Sequence, residues 1–387
     1  MTSDKNFFKG VHIEFHILQS FPVTCLNRDD VGSPKTAMVG GSQRARVSSQ
    51  AWKRPVRMAM HHLGVTHGTR TKLISPMIAE ACMERGATHE QAKACGDKVE
   101  GVFIKKNPKI KEKSFEQHEE TDESIIDNEK TDTLLFLSPN EVSILADSFA
   151  EKGFDPNQVI TKTDQKKQAK EITALIGKVS ETVDAVDIAL FGRMVAQAAE
   201  LNIEAAASFA HAISTHKVAN EVEFFTALDD CATEPGAAHM GSLEFNSATY
   251  YRYVSLDLGQ LARTLSSQSL PEAVEAFSKA LFLAVPVARQ STQSGASPWG
   301  FAKVLVRRGQ RLQVPFETAV KAENGGFLEP SIEALTRYLS RQEKLHGSLF
   351  GKIAEYTYGQ DDAFSIDDLI SVLKRHSSEF LLEGANA

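Results

Sequence analysis

The stretch "VHIEFHIL" (Val11–Leu18) alternates apolar and polar residues. A period of two residues is typical of a β-strand with one buried face, because successive side chains point to opposite sides of a strand. Its apolar positions are Val11, Ile13, Phe15 and Ile17, and its polar positions are His12, Glu14 and His16. We therefore predict a half-buried strand here, as the first strand of a sheet.

The segments beyond this strand predict an α+β fold. A long glycine-containing loop is expected from about Ser20 to Val47, and then a helix over Gln50–Leu63 that Ser48 or Ser49 caps and Pro55 bends or shortens. Further strands are predicted at 132–138, 248–258 and 302–308, and further helices at 139–153, 164–179, 271–285, 330–345 and 365–376. Without insertions, the order is strand, helix, strand, strand, helix, strand. That is the split βαβ, or ferredoxin-like, order of RNA-recognition (RRM) domains.

Composition and motifs exclude several classes of protein. The 387 residues, 42% of them hydrophobic, are enough for two globular domains. No long apolar run or secretory signal is present, and the four cysteines are scattered, so we expect a cytoplasmic protein without a membrane partner. Phosphate-loop, dinucleotide, zinc-protease and serine-hydrolase motifs are missing, so we expect no cofactor, no metal and no catalysis. The histidine pairs His12/His16 and His211/His216 favour packing over metal binding.

The segment Cys25–Arg57 is strongly basic in a chain whose net charge is -7. Its cations are Arg28, Lys35, Arg44, Arg46, Lys53, Arg54 and Arg57, against the acids Asp29 and Asp30. Cations, small residues and the amides of a helix start suit a phosphate-bearing ligand. A solvated charged face is the alternative. Asp29 and Asp30 could hold a catalytic metal, although an ion pair or a turn role is favoured.

Two further segments carry clustered charge. Residues 100–160 contain a basic run and then the acidic run "EQHEETDESIIDNEK", which predicts an exposed, partly mobile insertion. In the helix predicted over 164–179, Lys166, Lys167 and Lys170 lie away from the apolar stripe. These lysines form either a solvated face or a nucleic-acid contact. The apolar stripe consists of Ile172, Leu175, Ile176 and Val179.

Ten blocks in a fixed order resemble a known family. They are "CLNRDD" (Cys25–Asp30), Lys35, "GG" (Gly40–Gly41), "RARVSSQAWKR" (Arg44–Arg54), "VDIALFGRM" (Val186–Met194), "FAHAISTH" (Phe209–His216), "FFTALDD" (Phe224–Asp230), "AHMGSLEF" (Ala238–Phe245), "YYRY" (Tyr250–Tyr253) and "GFLEPSI" (Gly326–Ile332). Over nearly its whole length the chain resembles the CasC-type backbone subunit of the type I-E CRISPR Cascade surveillance complex.

The resemblance implies an architecture and a function. It implies an RRM-like palm (1–99, 186–208 and 248–387), a helical finger insertion (100–185) and a β-hairpin thumb (209–247). Copies would stack head-to-tail into a helical filament along a guide RNA (crRNA), and each thumb would displace one guide base at a regular interval. The other partners implied are target DNA, other Cascade subunits and a separate nuclease-helicase that is recruited for antiviral cleavage.

The resemblance also implies roles for individual residues. Guide-backbone contacts are expected from Arg28, Lys35, Arg44, Arg46, Ser48, Gln50, Lys53, Arg54 and Arg57, and contact with guide bases from Met194. The thumb wedge is expected to include Phe225, Thr226, Leu228 and Met240. Contact with target DNA is expected from Lys166, Lys167 and Lys170.

Two other functions stay open from sequence alone. The chain could be a metal-dependent ribonuclease of a related CRISPR effector that uses Asp29 or Asp30. It could also be a small-molecule enzyme unrelated to RNA, in which case it would purify without nucleic acid.

Overall fold

The computed structural model describes residues 8–103, 134–179, 183–195, 198–228, 237–265 and 269–385. The chain divides into two compact units. The first comprises Met1–Gly64, Ala207–Ala262 and Ser267–Ala387, and the second Val65–Ala206 and Arg263–Ser266. Residues 65–99 and 186–206, which were expected in the palm, lie in the second unit.

The elements follow one another as strands and helices of very different length. The strands are β1 (Val11–Thr24), β2 (Thr36–Val39), β3 (Ser42–Val47), β4 (Thr69–Thr71), β5 (Leu135–Leu137), β6 (Ala207–Phe209), β7 (Ala212–Ser214), β8 (Glu221–Leu228), β9 (Ala237–Asp257), β10 (Phe301–Arg308) and β11 (Lys352–Tyr358). The helices are α1 (Ser49–Met60), α2 (Ile74–Met83), α3 (His89–Phe103), α4 (Pro139–Glu151), α5 (Pro156–Val159), α6 (Gln165–Val179), α7 (Val186–Phe191), α8 (Leu258–Thr264), α9 (Leu270–Leu283), α10 (Gln290–Gln293), α11 (Leu328–His346) and α12 (Ile366–Ala385).

The described part of the first unit is built on a nine-stranded antiparallel sheet. Its main path runs β11-β10-β1-β9-β7-β3-β2, and β6 and β8 each pair with β9. Helix α1 follows β3 in the chain and packs against α9, which lies between β9 and β10 in the chain. The result is a mixed α/β fold with a large antiparallel sheet.

Strand β1 is buried on both faces, so the prediction of a half-buried strand was wrong. Phe15 is fully buried on one face, and Glu14 and His16 are fully buried on the other. Helix α11 covers the face of β1 that carries Glu14 and His16, since its Leu335 and Leu339 join a core cluster with residues of β1, β9 and β10. The buried Glu14 carboxylate accepts hydrogen bonds from Arg307 (2.7 Å), Tyr253 (3.0 Å) and the backbone amide of Leu312 (2.9 Å). These bonds offset the desolvation of a buried charge.

The segment expected to be a loop from Ser20 to Val47 is mostly strand. Strand β1 continues to Thr24, and β2 and β3 form a hairpin in which Val39 pairs with Ser42. Gly40 and Gly41 make its two-residue turn with φ of 54° and 72°, and positive φ at both central positions is what a type I′ hairpin turn requires. A Cβ on Gly40 would lie 1.8 Å from the carbonyl oxygen of Glu317, so glycine is required there.

The described part of the second unit is mainly helical. Helices α2, α3, α4 and α6 enclose an apolar core with the small β4–β5 sheet. The predicted strand at 132–138 is present as Leu135–Leu137, and the predicted helix at 139–153 as Pro139–Glu151. The acidic insertion largely lies outside the described residues, at 104–133. Within the described ranges, none of the helices combines the length and hydropathy needed to cross a bilayer.

Candidate nucleic-acid interface

Asn27 ties the basic loop to the start of α1. Its carbonyl oxygen accepts the amide of Lys35 (2.8 Å), and its side-chain Oδ1 accepts the amide of Ser48 (2.9 Å). The amide of Arg46 in turn donates to the carbonyl of Lys35 (2.8 Å). The 28–35 loop, the end of β3 and the helix start are therefore held together by one hydrogen-bond network. Asn27 is uncharged, so the clustering of cations in the sequence does not point to it.

Helix α1 presents one apolar and one cationic side. The predicted cap is confirmed, because the Ser48 hydroxyl accepts the amide of Ala51 at 3.3 Å. Trp52, Val56 and Met60 are buried at four-residue intervals, as expected for an amphipathic helix. The exposed side carries Gln50 and Arg54, flanked by the partly exposed Lys53 and Arg57. Pro55 does not shorten the helix, which continues to Met60.

Arg44 was expected to contact the guide backbone, and its position in the structure contradicts this prediction. Its side chain is fully buried. Nη1 donates to the carbonyls of Ser214 (2.9 Å) and Thr215 (2.8 Å), and Nη2 donates to those of Phe316 (3.2 Å) and Glu317 (3.3 Å). Burial lowers the pKa of this guanidinium below its usual range. Arg44 therefore holds β3 to neighbouring segments, and its charge is not available to a phosphate at the surface.

Arg46 and Lys53 are partly exposed. Arg46 Nη1 lies 3.3 Å from Nδ1 of the exposed His211, and its Nε donates to the carbonyl of Thr36 (3.4 Å). The Lys53 ammonium lies 5.9 Å from the centre of the Phe209 ring, and partial burial lowers its pKa. Both cations sit at the junction of β3, α1 and the β6–β7 segment. His211 is a member of this junction that sequence reasoning had set aside.

Asp29 has a structural role in the basic loop. Its carboxylate accepts the amides of Val31 (3.1 Å) and Ser33 (2.9 Å), which closes an Asx-type turn. Arg28 lies beside this turn and is exposed, and its backbone forms a bridge with Pro34. The turn role predicted for Asp29 is thus observed, and both Asp29 and Asp30 are exposed. Within the described ranges, His, Cys, Asp and Glu side chains form no group of three that could hold a metal ion.

Strands β8 and β9 form a long hairpin. Thr226 pairs with Met240, and Phe225 pairs with Gly241, so Phe225 and Met240 point to opposite sides of the ribbon. Met240 is 72% exposed and shares its side with Phe224, which is 82% exposed. Of the predicted wedge residues, Thr226 and Met240 therefore lie together, Phe225 lies on the other side, and the Leu228 side chain is outside the described residues. Phe224 was missed, although strand alternation would have placed it with Met240.

Met194 lies in the second unit, at the end of a tightly anchored segment. Gly192 has φ of 78°, and a Cβ there would lie 2.9 Å from the carbonyl oxygen of Ile203. Arg193 is buried and pairs with Glu141 at 2.6 Å, and its Nε donates to the carbonyl of Leu201 (2.7 Å). The Met194 side chain is nevertheless 83% exposed. The sequence "GRM" thus combines a close turn, an internal anchor and an apolar side chain available for contact.

The lysine-rich helix has the expected orientation. Ala169, Ile172 and Ile176 are buried in the core of the second unit, while Lys166, Lys167 and Lys170 are exposed. The side chain of Val179, predicted for the apolar stripe, lies outside the described residues. The three ammonium groups are thus available to an anionic partner.

Comparisons with known proteins give one matching family and similar solved structures. A family model described as CT1975-like protein matches residues 13–369. A chain of a solved CRISPR RNA-guided surveillance complex, pre-nicking, superposes with a TM-score of 0.73 at 26% identity, covering 95% of this chain and 100% of that chain. A chain of a second CRISPR RNA-guided surveillance complex superposes with a TM-score of 0.64 at 23% identity, covering 95% of this chain and 99% of that chain. This second match supports the fold alone. No curated protein sequence gives a significant match.

Proposed function

Because the chain belongs to the CT1975-like protein family, we propose that it is a crRNA-binding subunit of a CRISPR surveillance complex. In this proposal it is non-catalytic, acts in the cytoplasm and presents the guide for pairing with target DNA. The ten sequence blocks favour the CasC-type backbone subunit of a type I-E Cascade. The spatial order β10-β1-β9-β7, with α1 and α9 as connecting helices, supports describing the centre of the first unit as an RRM-like palm.

The observation that carries the proposal is a surface of clustered cations between residues 28 and 57, on a chain whose net charge is -7. Its cations are Arg28, Lys35, Arg46, Lys53, Arg54 and Arg57, all exposed or partly exposed. The Asn27 network holds their loop, strand and helix in one arrangement. Contacts to phosphate fix the position of a nucleic acid without reading its sequence, and a guide carrier needs this property because guides differ in sequence.

The hairpin supports a wedge role. Phe224 and Met240 leave apolar side chains exposed on one side of a two-stranded ribbon. Inserting an apolar side chain between bases costs a few kcal/mol per unstacked step, and added protein contact offsets this cost. We propose that Phe224, Thr226 and Met240 form the inserting side, and that Met194 packs against neighbouring guide bases.

Exposed apolar side chains in a second region support self-association. Leu345, Leu349 and Ile353 are 65%, 83% and 41% exposed near the end of α11 and the start of β11. Strand β11 is an outer strand of the sheet, and β9, which carries the hairpin, lies three positions away. Exposed apolar surface at this end of the sheet suits contact with a different face of the next copy, and such a head-to-tail contact does not close and so builds filaments. We propose that copies assemble in this way with other complex subunits along the guide.

The remaining partners follow from the same proposal. Base pairing would read the target, as in other RNA-guided systems, and a separate recruited nuclease-helicase would cut it. Lys166, Lys167 and Lys170 would hold target DNA without regard to sequence. Because the Asp29 carboxylate already accepts two loop amides, the geometry favours a turn role over the alternative metal-dependent ribonuclease.

The experiment is RNA binding by the full chain, measured by fluorescence anisotropy. Two single-stranded RNAs of equal length and unrelated sequence should bind with affinities within about threefold, because phosphate contacts carry no base information. A much larger preference for one sequence, or no binding to either, would reject the proposal.

The ribonuclease alternative is tested in the same samples. Each RNA is incubated with magnesium and the wild-type chain or the Asp30→Ala variant, and its length is then read on a denaturing gel. Intact RNA in both is the expected result. Cuts made by the wild-type chain but not by Asp30→Ala would establish the alternative with Asp30 as the catalytic residue, and cuts made by both would leave Asp29 as its candidate. Asp30→Ala is preferred to Asp29→Ala because it leaves the Asx turn in place.

A further inference from the structure

His211 occupies a defined place beside the cationic surface. Strand β3 pairs with β7 through Arg46–Ile213 and Val47–Ala212, so His211 continues the register opposite Ser48, the cap of α1. Its ring is exposed, and it lies between β6 and β7, where the chain leaves one short strand and enters the next. The ring is therefore at the surface where the loop, β3 and α1 converge.

The contact of His211 with Arg46 constrains the guanidinium group. Arg46 Nη1 lies 3.3 Å from His211 Nδ1, and Arg46 Nε donates to the carbonyl of Thr36 at 3.4 Å. A guanidinium group is planar and rigid, so hydrogen bonds to two of its nitrogens fix the position of the third. Among the described residues none accepts a hydrogen bond from Nη2. Nη2 thus has a fixed orientation and no acceptor among the described residues, as a phosphate-binding arginine requires.

The chemistry of this pair determines the role of the histidine. An arginine is always protonated and only donates hydrogen bonds, so His211 must accept through an unprotonated Nδ1. The pair is therefore a donor and a neutral acceptor, not an ion pair. A neutral acceptor orients the arginine without cancelling the charge that would attract RNA.

We propose that His211 is a positioning residue for RNA binding, whose Nδ1 holds Arg46 so that Nη2 meets a phosphate oxygen of the guide. This inference rests on the proposed function and adds to it a residue that contributes through Arg46. It requires the acceptor nitrogen of His211, not the aromatic ring.

Two substitutions separate the acceptor from the ring. His211→Asn places an amide oxygen near the position of Nδ1 and removes the ring, whereas His211→Phe keeps a ring and removes the acceptor. With a labelled single-stranded RNA and the full chain, His211→Asn should bind within about twofold of wild type. His211→Phe should bind about tenfold more weakly, as expected for the loss of one oriented charge-assisted contact. Its salt slope should be smaller by about 0.7, corresponding to one phosphate.

A double-mutant cycle with Arg46→Gln completes the test. If His211 acts through Arg46, adding His211→Phe to Arg46→Gln should cause no further loss of affinity. Equal binding by His211→Phe and wild type would overturn the proposal. It would also be overturned if His211→Asn were as weak as His211→Phe, or if the His211→Phe loss persisted in the Arg46→Gln background.

Two controls protect the interpretation. Thermal unfolding of each variant checks the fold, and His211→Ala replaces His211→Phe if the latter is unstable. If the wild-type chain did not bind RNA at all, the proposed function would fail. If the wild-type chain bound RNA and only the His211 pattern differed from expectation, this inference alone would fail.

Discussion

Neutralising Lys53 and Arg54 together should reduce the salt dependence of RNA binding by a calculable amount. The Arg44 charge is internal, so the available cations are Arg28, Lys35, Arg46, Lys53, Arg54 and Arg57. If about five of them neutralise phosphates, the slope of log K against log salt is about −0.7 × 5, or about −3.5. A fourfold rise in salt, from about 50 to about 200 mM, then weakens wild-type binding about 130-fold.

The double variant Lys53→Gln/Arg54→Gln loses two of these contacts. Its slope should fall to about −2.1, so the same rise in salt should weaken binding only about 18-fold. The assay is fluorescence anisotropy with one labelled single-stranded RNA at four or more salt concentrations. The slope is more informative than a single affinity, because misfolding lowers the active fraction without changing the number of ions released.

The matched control removes the same formal charge elsewhere on the first unit. Arg337→Gln/Arg341→Gln changes two exposed arginines on α11, of which Arg337 makes a surface pair with Glu333 at 3.6 Å. This variant should keep the wild-type slope. If both double variants lowered the slope equally, the effect would reflect overall charge. If the Lys53/Arg54 variant kept a slope near −3.5, the assignment of the interface would be refuted.

Three predictions concern stability and are checked by urea unfolding. Arg193→Met should cost about 3–5 kcal/mol, because it leaves the buried Glu141 without its cation; a loss below about 1 kcal/mol would contradict this role. Gly40→Ala should cost several times the ~1 kcal/mol expected for Gly41→Ala, since only the former places a Cβ against backbone; equal costs would contradict the packing. Burial lowers the pKa of His16 to about 3. As the pH falls from 7 to 5, this histidine therefore takes up a proton in the unfolded chain but not in the folded one. Its contribution should lower the free energy of unfolding by about 2 kcal/mol over that range. His16→Gln should reduce that pH dependence, and an unchanged dependence would contradict it.

Features set by neighbouring residues could be predicted from sequence. The Ser48 cap, the burial of Ile172 and Ile176 and the exposure of the lysines between Lys166 and Lys170 follow from the residues around them. The β2–β3 hairpin carried an equally local signal, because Gly40–Gly41 separates two strand-like runs. Glycines in a basic segment also suit a phosphate-binding loop, so the local sequence is compatible with both structures.

Features set by distant segments could not be predicted from local patterns. The polar face of β1 is buried because α11, more than 300 residues further along the chain, covers it. Arg44 differs from Arg46 because carbonyls of Ser214, Thr215, Phe316 and Glu317 surround it. Neither strand period nor charge separates these two arginines. The division into two units likewise depends on contacts that cross long stretches of sequence.

The central claim, that several copies of this chain are held along one RNA by its backbone, is tested most directly on the intact assembly. The chain is expressed with the proteins encoded beside it, purified as a complex and weighed by native mass spectrometry before and after complete removal of RNA. We predict several copies on one RNA of defined length, and loss of the assembly once the RNA is gone. A complex that contained no RNA, or that kept its mass and composition without it, would contradict the account.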